Sequence, residues 1–264
     1  MTGRLTKIAH RVKKFDLIIL VLFSWEIFAR FIYPRFEPRA AVYLPTFSSV
    51  LKECWQLLAD GILIQHIWAS LRRVLIGFSL ASLFGITLGF IIGLSQKAYE
   101  QLHTLCQIFR PIPPVAWIPI SLLWFGITDA QQYFIIFIGV LFPILFNTLQ
   151  GVHSVSSQYK LVAQTLGARR FLLIRRVILP AVLPRIIFGL RSGLGYAWFI
   201  IVAAEFVSAP NGLGYLILEG RNMIITERIF VGMITIGAIN LFFHYFLTKF
   251  ENWIAPWRKI AFIF

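Results

Sequence analysis

Long apolar runs constrain this chain more than anything else in it. A helix that crosses the hydrocarbon of a bilayer needs about 20 mostly apolar residues. Six stretches qualify: residues 15–34, 70–95, 102–126, 131–150, 183–208 and 229–250. Composition agrees with that count. Of 264 residues, 58% are hydrophobic and only 14% charged, which leaves too little polar surface for a soluble domain of this length. The expectation is an all-α, polytopic membrane protein with about six transmembrane helices.

The net charge of +14 raises the question of nucleic acid. The basic residues fall between apolar runs, without stacking aromatics or a nucleic-acid fold motif, so no nucleic-acid partner is expected. They read instead as topology signals. With the N-terminus inside, one side collects Arg4, Lys7, Arg11, Lys13 and Lys14, then Lys97, Lys160, Arg169, Arg170, Arg175, Arg176 and Arg185, and finally Lys249, Arg258 and Lys259. The other side has Arg35, Arg39, Lys52, Arg221 and Arg228, diluted by Glu37, Glu53, Asp60, Glu219 and Glu227. Arg72 and Arg73 sit at an outer boundary and count against the bias without reversing it. The basic start before an apolar run has the shape of a signal peptide, but the run continues through WEIFARFIYP without a small-residue cleavage site, so a retained first span is expected. The resulting organisation is a basic cytoplasmic segment over 1–14, a first span over 15–34, an outer connector over 35–69, a transmembrane core over 70–250 and a cytoplasmic segment over 251–264. In the connector, Val50, Leu51, Trp55, Leu57 and Leu58 give an apolar helical face after a Ser cap, either a helix at the membrane surface or one packed on its own bundle.

One cytoplasmic stretch, TLGARRFLLIRRVILP over 165–180, threads Arg169, Arg170, Arg175 and Arg176 through an apolar helical pattern. Tyr159, Val162, Ala163 and Leu166 recur at the spacing of one helical face. Gly167 can take the left-handed conformation that closes a helix. Phe171, Ile174 and Ile178 share a face of a second helix, which Pro180 ends, and Pro184 opens the next span. Such a hairpin fits a groove on another protein; its arginines also suit anionic lipid headgroups. Both readings stand on the hairpin alone.

The run Ala163, Gly167, Val177, Leu179, Pro180 resembles the coupling-loop signature of permease subunits in binding-protein-dependent ABC importers. The usual acidic member is replaced by Leu161, and the first alanine by Val162. HIWASLRRVLIGF, RPIPPVAWIPISLLWFGI, FPILFNTLQGV, LPRIIFGLRSGLGYAWFIIVAAE and NGLGYLI are similar to the sulfonate/taurine/nitrate branch of that family, so the resemblance covers about residues 44 to 240. It implies a type I ABC importer permease fold, in the inner membrane of a bacterium, with a cytoplasmic coupling hairpin over 155–180. The hairpin would dock on a separate ATPase through Ala163, Leu166, Gly167, Arg169, Arg170, Phe171, Ile174, Arg175, Arg176, Leu179 and Pro180. It also implies a second permease subunit, most simply a second copy, two cytoplasmic ATPase subunits and an extracytoplasmic substrate-binding protein. No G-x-x-x-x-G-K-[ST] phosphate loop exists here, so ATP and Mg belong to the partner ATPase and no enzymatic activity is expected of this chain. The cargo implied is a small oxyanion.

For the path or gate the residues are Trp117, Pro119, Asn147, Arg191, Trp198 and Glu205. Proline inside a span frees backbone carbonyls. Arg110, Pro111, Pro113, Pro114 and Pro119 therefore point to a broken third helix beside a path, or to an interfacial kink. Glu205, the costliest residue to bury, is either an anchor for the amides of the turn at Asn211, Gly212 and Gly214 or a gate element. Arg191 lies about 21 Å from it along a helix, and either faces the lumen or snorkels to the headgroups. Gly77, Ala81, Gly85, Gly89 and Gly93 form a small-residue stripe for packing within the chain or for a dimer seam. Cys54 and Cys106 stand apart without a C-x-x-C or a Cys/His cluster, and no metal site is expected. An ATP-independent channel or secondary carrier would need more ionisable residues at mid-membrane or inverted repeats; an enzyme would need a clustered set of His, Asp or Cys.

Overall fold

The computed structural model describes residues 16, 17, 19–37 and 40–254, and among them the chain is helical, without strands. The segment expected over 1–14 lies outside the described residues, as does the one expected over 251–264 from residue 255 onward. By its internal contacts the chain forms two compact units, one of residues 1–66 with 216–235, the other of 67–215 with 236–264.

In the smaller unit, residues 19–27 are helical and pass into a π turn, Phe28–Ile32, and a 3-10 turn, Tyr33–Arg35. Helix α1, Phe47–Ala59, is capped by Thr46, whose hydroxyl accepts from the Ser49 N–H at 3.2 Å. The cap is therefore the threonine rather than one of the serines expected from the sequence. Val50 and Leu57 of α1 are buried, while Leu51, Trp55 and Leu58 are exposed, so its apolar residues divide between two faces. Trp25 packs on Phe47 and Phe230 at 5.5 and 5.3 Å between ring centres, and Arg228 bridges Glu53 and Glu219 at 3.1 Å each.

The chain continues through α2 (Ile62–Leu94), α3 (Gln96–Phe109), α4 (Ile118–Phe125) and α5 (Asp129–His153). Then come α6 (Ser157–Thr165), α7, α8 (Leu213–Asn222) and α9 (Thr226–Ile254). Helix α7 is a single rod: α-helical over Arg170–Leu173, a π turn over Ile174–Ile178, and α-helical again over Leu179–Ser208. Pro180 thus does not end the hairpin's second helix, nor does Pro184 begin a new one. An α turn would place the Pro180 ring against the carbonyl of residue 176. The π turn avoids this by bonding the Leu179 N–H to the Ile174 carbonyl, five residues back. The π turn at Phe28–Ile32 likewise stands two residues before a proline, Pro34.

Helix α5 is the axis of the larger unit. On one side lies α2, whose glycine stripe meets it in a fixed register. A Cβ on Gly77, Gly85, Gly89 or Gly93 would fall 2.7–3.1 Å from the Cβ of Ile136, Ile144, Thr148 or Val152, each 59 residues further on. The stripe is an intramolecular seam, and the constant offset shows that α2 and α5 run parallel. Against another side α7 runs antiparallel, with Gly193 on Val140 and Ile144, Gly189 on Asn147, and Gly151 on Val182 and Arg185.

Because α2 and α5 are parallel, residues 95–128 carry the chain back along their whole length. Contacts trace that return: the Tyr99 ring lies 4.6 Å from that of His153, Arg110 covers Phe146, Pro114 faces Gly139, and Ser121 bonds Gln131. The return is bent by 83° where Arg110 to Pro113 interrupt the helix. Pro111, Pro113 and Pro114 offer no N–H, so no α turn can bridge that point.

Three helices among the described residues, Ile62–Leu94, Asp129–His153 and Thr226–Glu251, are each long and apolar enough to cross a membrane, and the bent pair makes up to four. The count of six is not reached by that measure. The first expected run begins outside the described residues, and the fifth lies in α7, which has the length to cross and buries much of its surface within the chain. The second expected run starts earlier than its apolar residues suggest, since α2 is already helical at Ile62.

Candidate functional site

Two features stand at opposite ends of the α5 axis. Beyond the C-terminal end of α5 is the hairpin. Ser156 caps α6, accepting from the Gln158 N–H at 3.3 Å. Gly167, with φ of +80°, closes it. The Gly167 N–H donates to the Gln164 carbonyl and the Ala168 N–H to the Ala163 carbonyl, both at 2.9 Å, the paired bonds of a Schellman ending. The hairpin then enters α7 without interruption.

Its surface mixes exposed apolar and basic side chains. Leu161, Val162, Leu166, Phe171 and Leu172 are exposed, Leu166 to 82% and Phe171 to 74%, beside exposed Arg169, Arg170, Arg175 and Arg176. Leu173 and Ile174 turn inward onto Val152, Val155, Ile178, Val182 and Ile186. Of the three residues expected to share a face, Ile174 packs with Ile178 while Phe171 stays exposed. An exposed apolar patch rimmed by cations marks a contact surface.

At the other end of the axis Glu205 of α7 is enclosed. Its carboxylate accepts from the Ser70 hydroxyl at 2.7 Å, the Gly214 N–H at 2.8 Å and Arg73 Nη1 at 2.9 Å. Arg73, with its side chain only 2% exposed, also donates from Nε to Asp129 at 2.8 Å and reaches the carbonyl and side chain of Asn211 at 2.6 Å each. Arg72 pairs with the same Asp129. Two arginines balance two carboxylates, so the cluster is neutral as a whole. The Leu213 N–H bonds Ser70 Oγ at 2.8 Å, locking the turn to α2. Gly212, at φ +121°, and Gly214 have no room for a Cβ against the Glu205 side chain. Glu205 thus holds the amide of Gly214, as its place before the turn suggests. Its partners Arg73, Ser70 and Asp129 escape a reading of the sequence as topology; the signal available was that a charge within an apolar run requires a partner.

The other expected path residues lie apart. Arg191 pairs with Glu251 of α9 rather than reaching past the helix ends. Trp198 is buried, its Nε1 without a hydrogen-bond partner among the described residues, with its ring 6.3 Å from Phe243. Trp117 meets Phe134 edge-on, and Pro119 is exposed. Asn147 lines a cavity of about 430 Å³ beside the break in the return helix, and donates to the Pro143 carbonyl at 2.7 Å.

A central helix flanked by one parallel and one antiparallel neighbour, crossed by a broken return helix and continued into an exposed hairpin, has the fold of a type I ABC importer permease. The inward-facing MetNI methionine ABC transporter shares it, with a TM-score of 0.61 over 75% of this chain and 96% of that one, at 17% identity. The chain belongs to the family of binding-protein-dependent transport system inner membrane components, which it matches over residues 83–257. Its relatives include the taurine transport system permease protein TauC of Escherichia coli, 33% identical over 92% of this chain and 88% of that protein. The nitrate import permease protein NrtB of Synechocystis sp. is 34% identical over 81% of each chain. Members of this family are the membrane component of a transporter rather than its ATPase.

Proposed function

We propose that the chain is the membrane-spanning half of an ATP-driven importer for a small oxyanion of the sulfonate, taurine or nitrate kind. A substrate-binding protein delivers the cargo from outside, and two copies of the chain enclose one path. A pair of separate cytoplasmic ATPases binds the hairpins, so the hairpin faces the cytoplasm and the N-terminus lies on the same side, in the bacterial inner membrane. ATP binding closes the ATPases, the hairpins carry that motion into α7, and hydrolysis resets it. The observation that supports this reading most is the patch formed by Leu166 and Phe171 on a hairpin that continues into α7. Apolar side chains left in water on a rigid element are suited to a protein groove.

Affinity purification of the chain co-expressed with its cognate ATPase tests the reading. The ATPase comes down with the wild type. It is lost when Leu166 and Phe171, whose exposure spares the fold, are both changed to Glu, or when Gly167 is replaced by Trp. An ATPase that stays bound to the Leu166→Glu/Phe171→Glu variant would count against docking at the hairpin. Binding of the isolated chain to anionic vesicles that is abolished by the same changes would instead support a lipid contact.

A further inference from the structure

The cavity beside the broken helix is lined by both polar and apolar residues. Its walls come from the break and from one face of α5, where Gly139, Pro143, Asn147 and Gln150 follow one another at helical spacing. That face extends about 16 Å along the helix axis. Gly139 lets the break lie directly on α5, since a Cβ there would fall 2.8 Å from Pro114 Cγ and 2.2 Å from Ile200 Cδ1.

Arg110 is the one charged residue lining the cavity. No carboxylate pairs with Arg110 among the described residues, as is also true of Arg169, Arg170, Arg175, Arg176 and Arg185 outside the cavity, and Arg110 is exposed. The Arg110 guanidinium lies over the Phe146 ring, 5.1 Å from its centre. Stacking of this kind occupies the face of the cation and leaves its N–H edge available. Around it, Asn147, Gln150 and Tyr196 add amide and hydroxyl donors. An unpaired, oriented cation with neutral donors and no acid is the chemistry that receives a planar or tetrahedral oxyanion.

We propose that this cavity is the anion-selecting station of the path and that Arg110 is its specificity-determining residue, taking a small oxyanion of the sulfonate or nitrate class. The assignment rests on the importer reading above and adds the site that discriminates charge. A lysine at this position keeps the charge but loses the fork, and a glutamine loses both the charge and the affinity for an anion.

The test uses the full complex of chain, ATPase and binding protein in membrane vesicles, with uptake of methanesulfonate, taurine and nitrate as probes. The wild type accumulates at least one of them. Arg110→Gln lowers that uptake by about tenfold or more, the usual worth of a hydrogen bond to a charged group. Arg110→Lys retains an intermediate rate, and all three complexes keep their ATPase bound. Wild-type uptake by an assembled Arg110→Gln complex overturns the assignment and leaves the importer reading intact. So does a wild-type complex that carries solutes without an oxyanion group and none of the three probes. A wild-type chain that brings down no ATPase defeats the importer reading itself. Should Arg110→Gln fail to insert, Gln150→Leu and Tyr196→Phe serve in its place, and unchanged uptake in both overturns the assignment.

Discussion

Arg73 spends nearly all of its hydrogen-bonding capacity inside the protein, on Glu205, Asp129 and Asn211. Removing one member of such a pair leaves a charge stranded in an apolar setting, which costs about 3–5 kcal/mol, whereas replacing both with packed apolar groups is close to neutral. Arg73→Met and Glu205→Leu should each lower the midpoint of thermal unfolding of the purified chain markedly, and the double variant should recover most of the loss. Equal and additive losses would show that the two side chains act independently. The Gly214 end of this cluster was legible in the sequence because the turn comes only nine residues after Glu205. The arginine end was not, since Arg73 lies 132 residues away from Glu205 and periodicity within one helix carries no information about which helix stands opposite.

At the scale of elements, the hairpin shows what local chemistry can and cannot announce. The glycine that ends α6 was legible, because only a residue free to adopt positive φ completes a Schellman ending without strain. The continuity of α7 was hidden, because a proline in the sequence reads as a stop unless an upstream π turn accommodates it. Pro180→Ala restores an N–H and removes the ring, so the π turn can relax to an α turn and rotate the hairpin by about 100° relative to the rest of α7. We expect the ATPase to remain bound while uptake per ATP hydrolysed falls several-fold. Unchanged coupling would show that the setting of the hairpin does not depend on the π turn.

For the whole molecule, the offset of 59 residues between α2 and α5 fixes the path of the chain more firmly than any hydropathy count. The prolines of the third apolar run argue against a span, yet parallel neighbours leave no other way back. Lys97 and Ile127, both exposed, flank that return at its two ends. After Cys54 and Cys106 are changed to Ser, cysteines placed singly at 97 and 127 should react with a membrane-impermeant maleimide from opposite sides of the membrane. Labelling of both from one side would mean that the bent pair enters and leaves by the same face. The uninterrupted rod from Arg170 to Ser208 has a mechanical consequence. Seated on α5 at Val182, Gly189 and Gly193 and fastened at Glu205, it is joined to its neighbour at intervals along about 52 Å between Arg170 and Glu205, so a push delivered at the hairpin is shared by both helices as one beam.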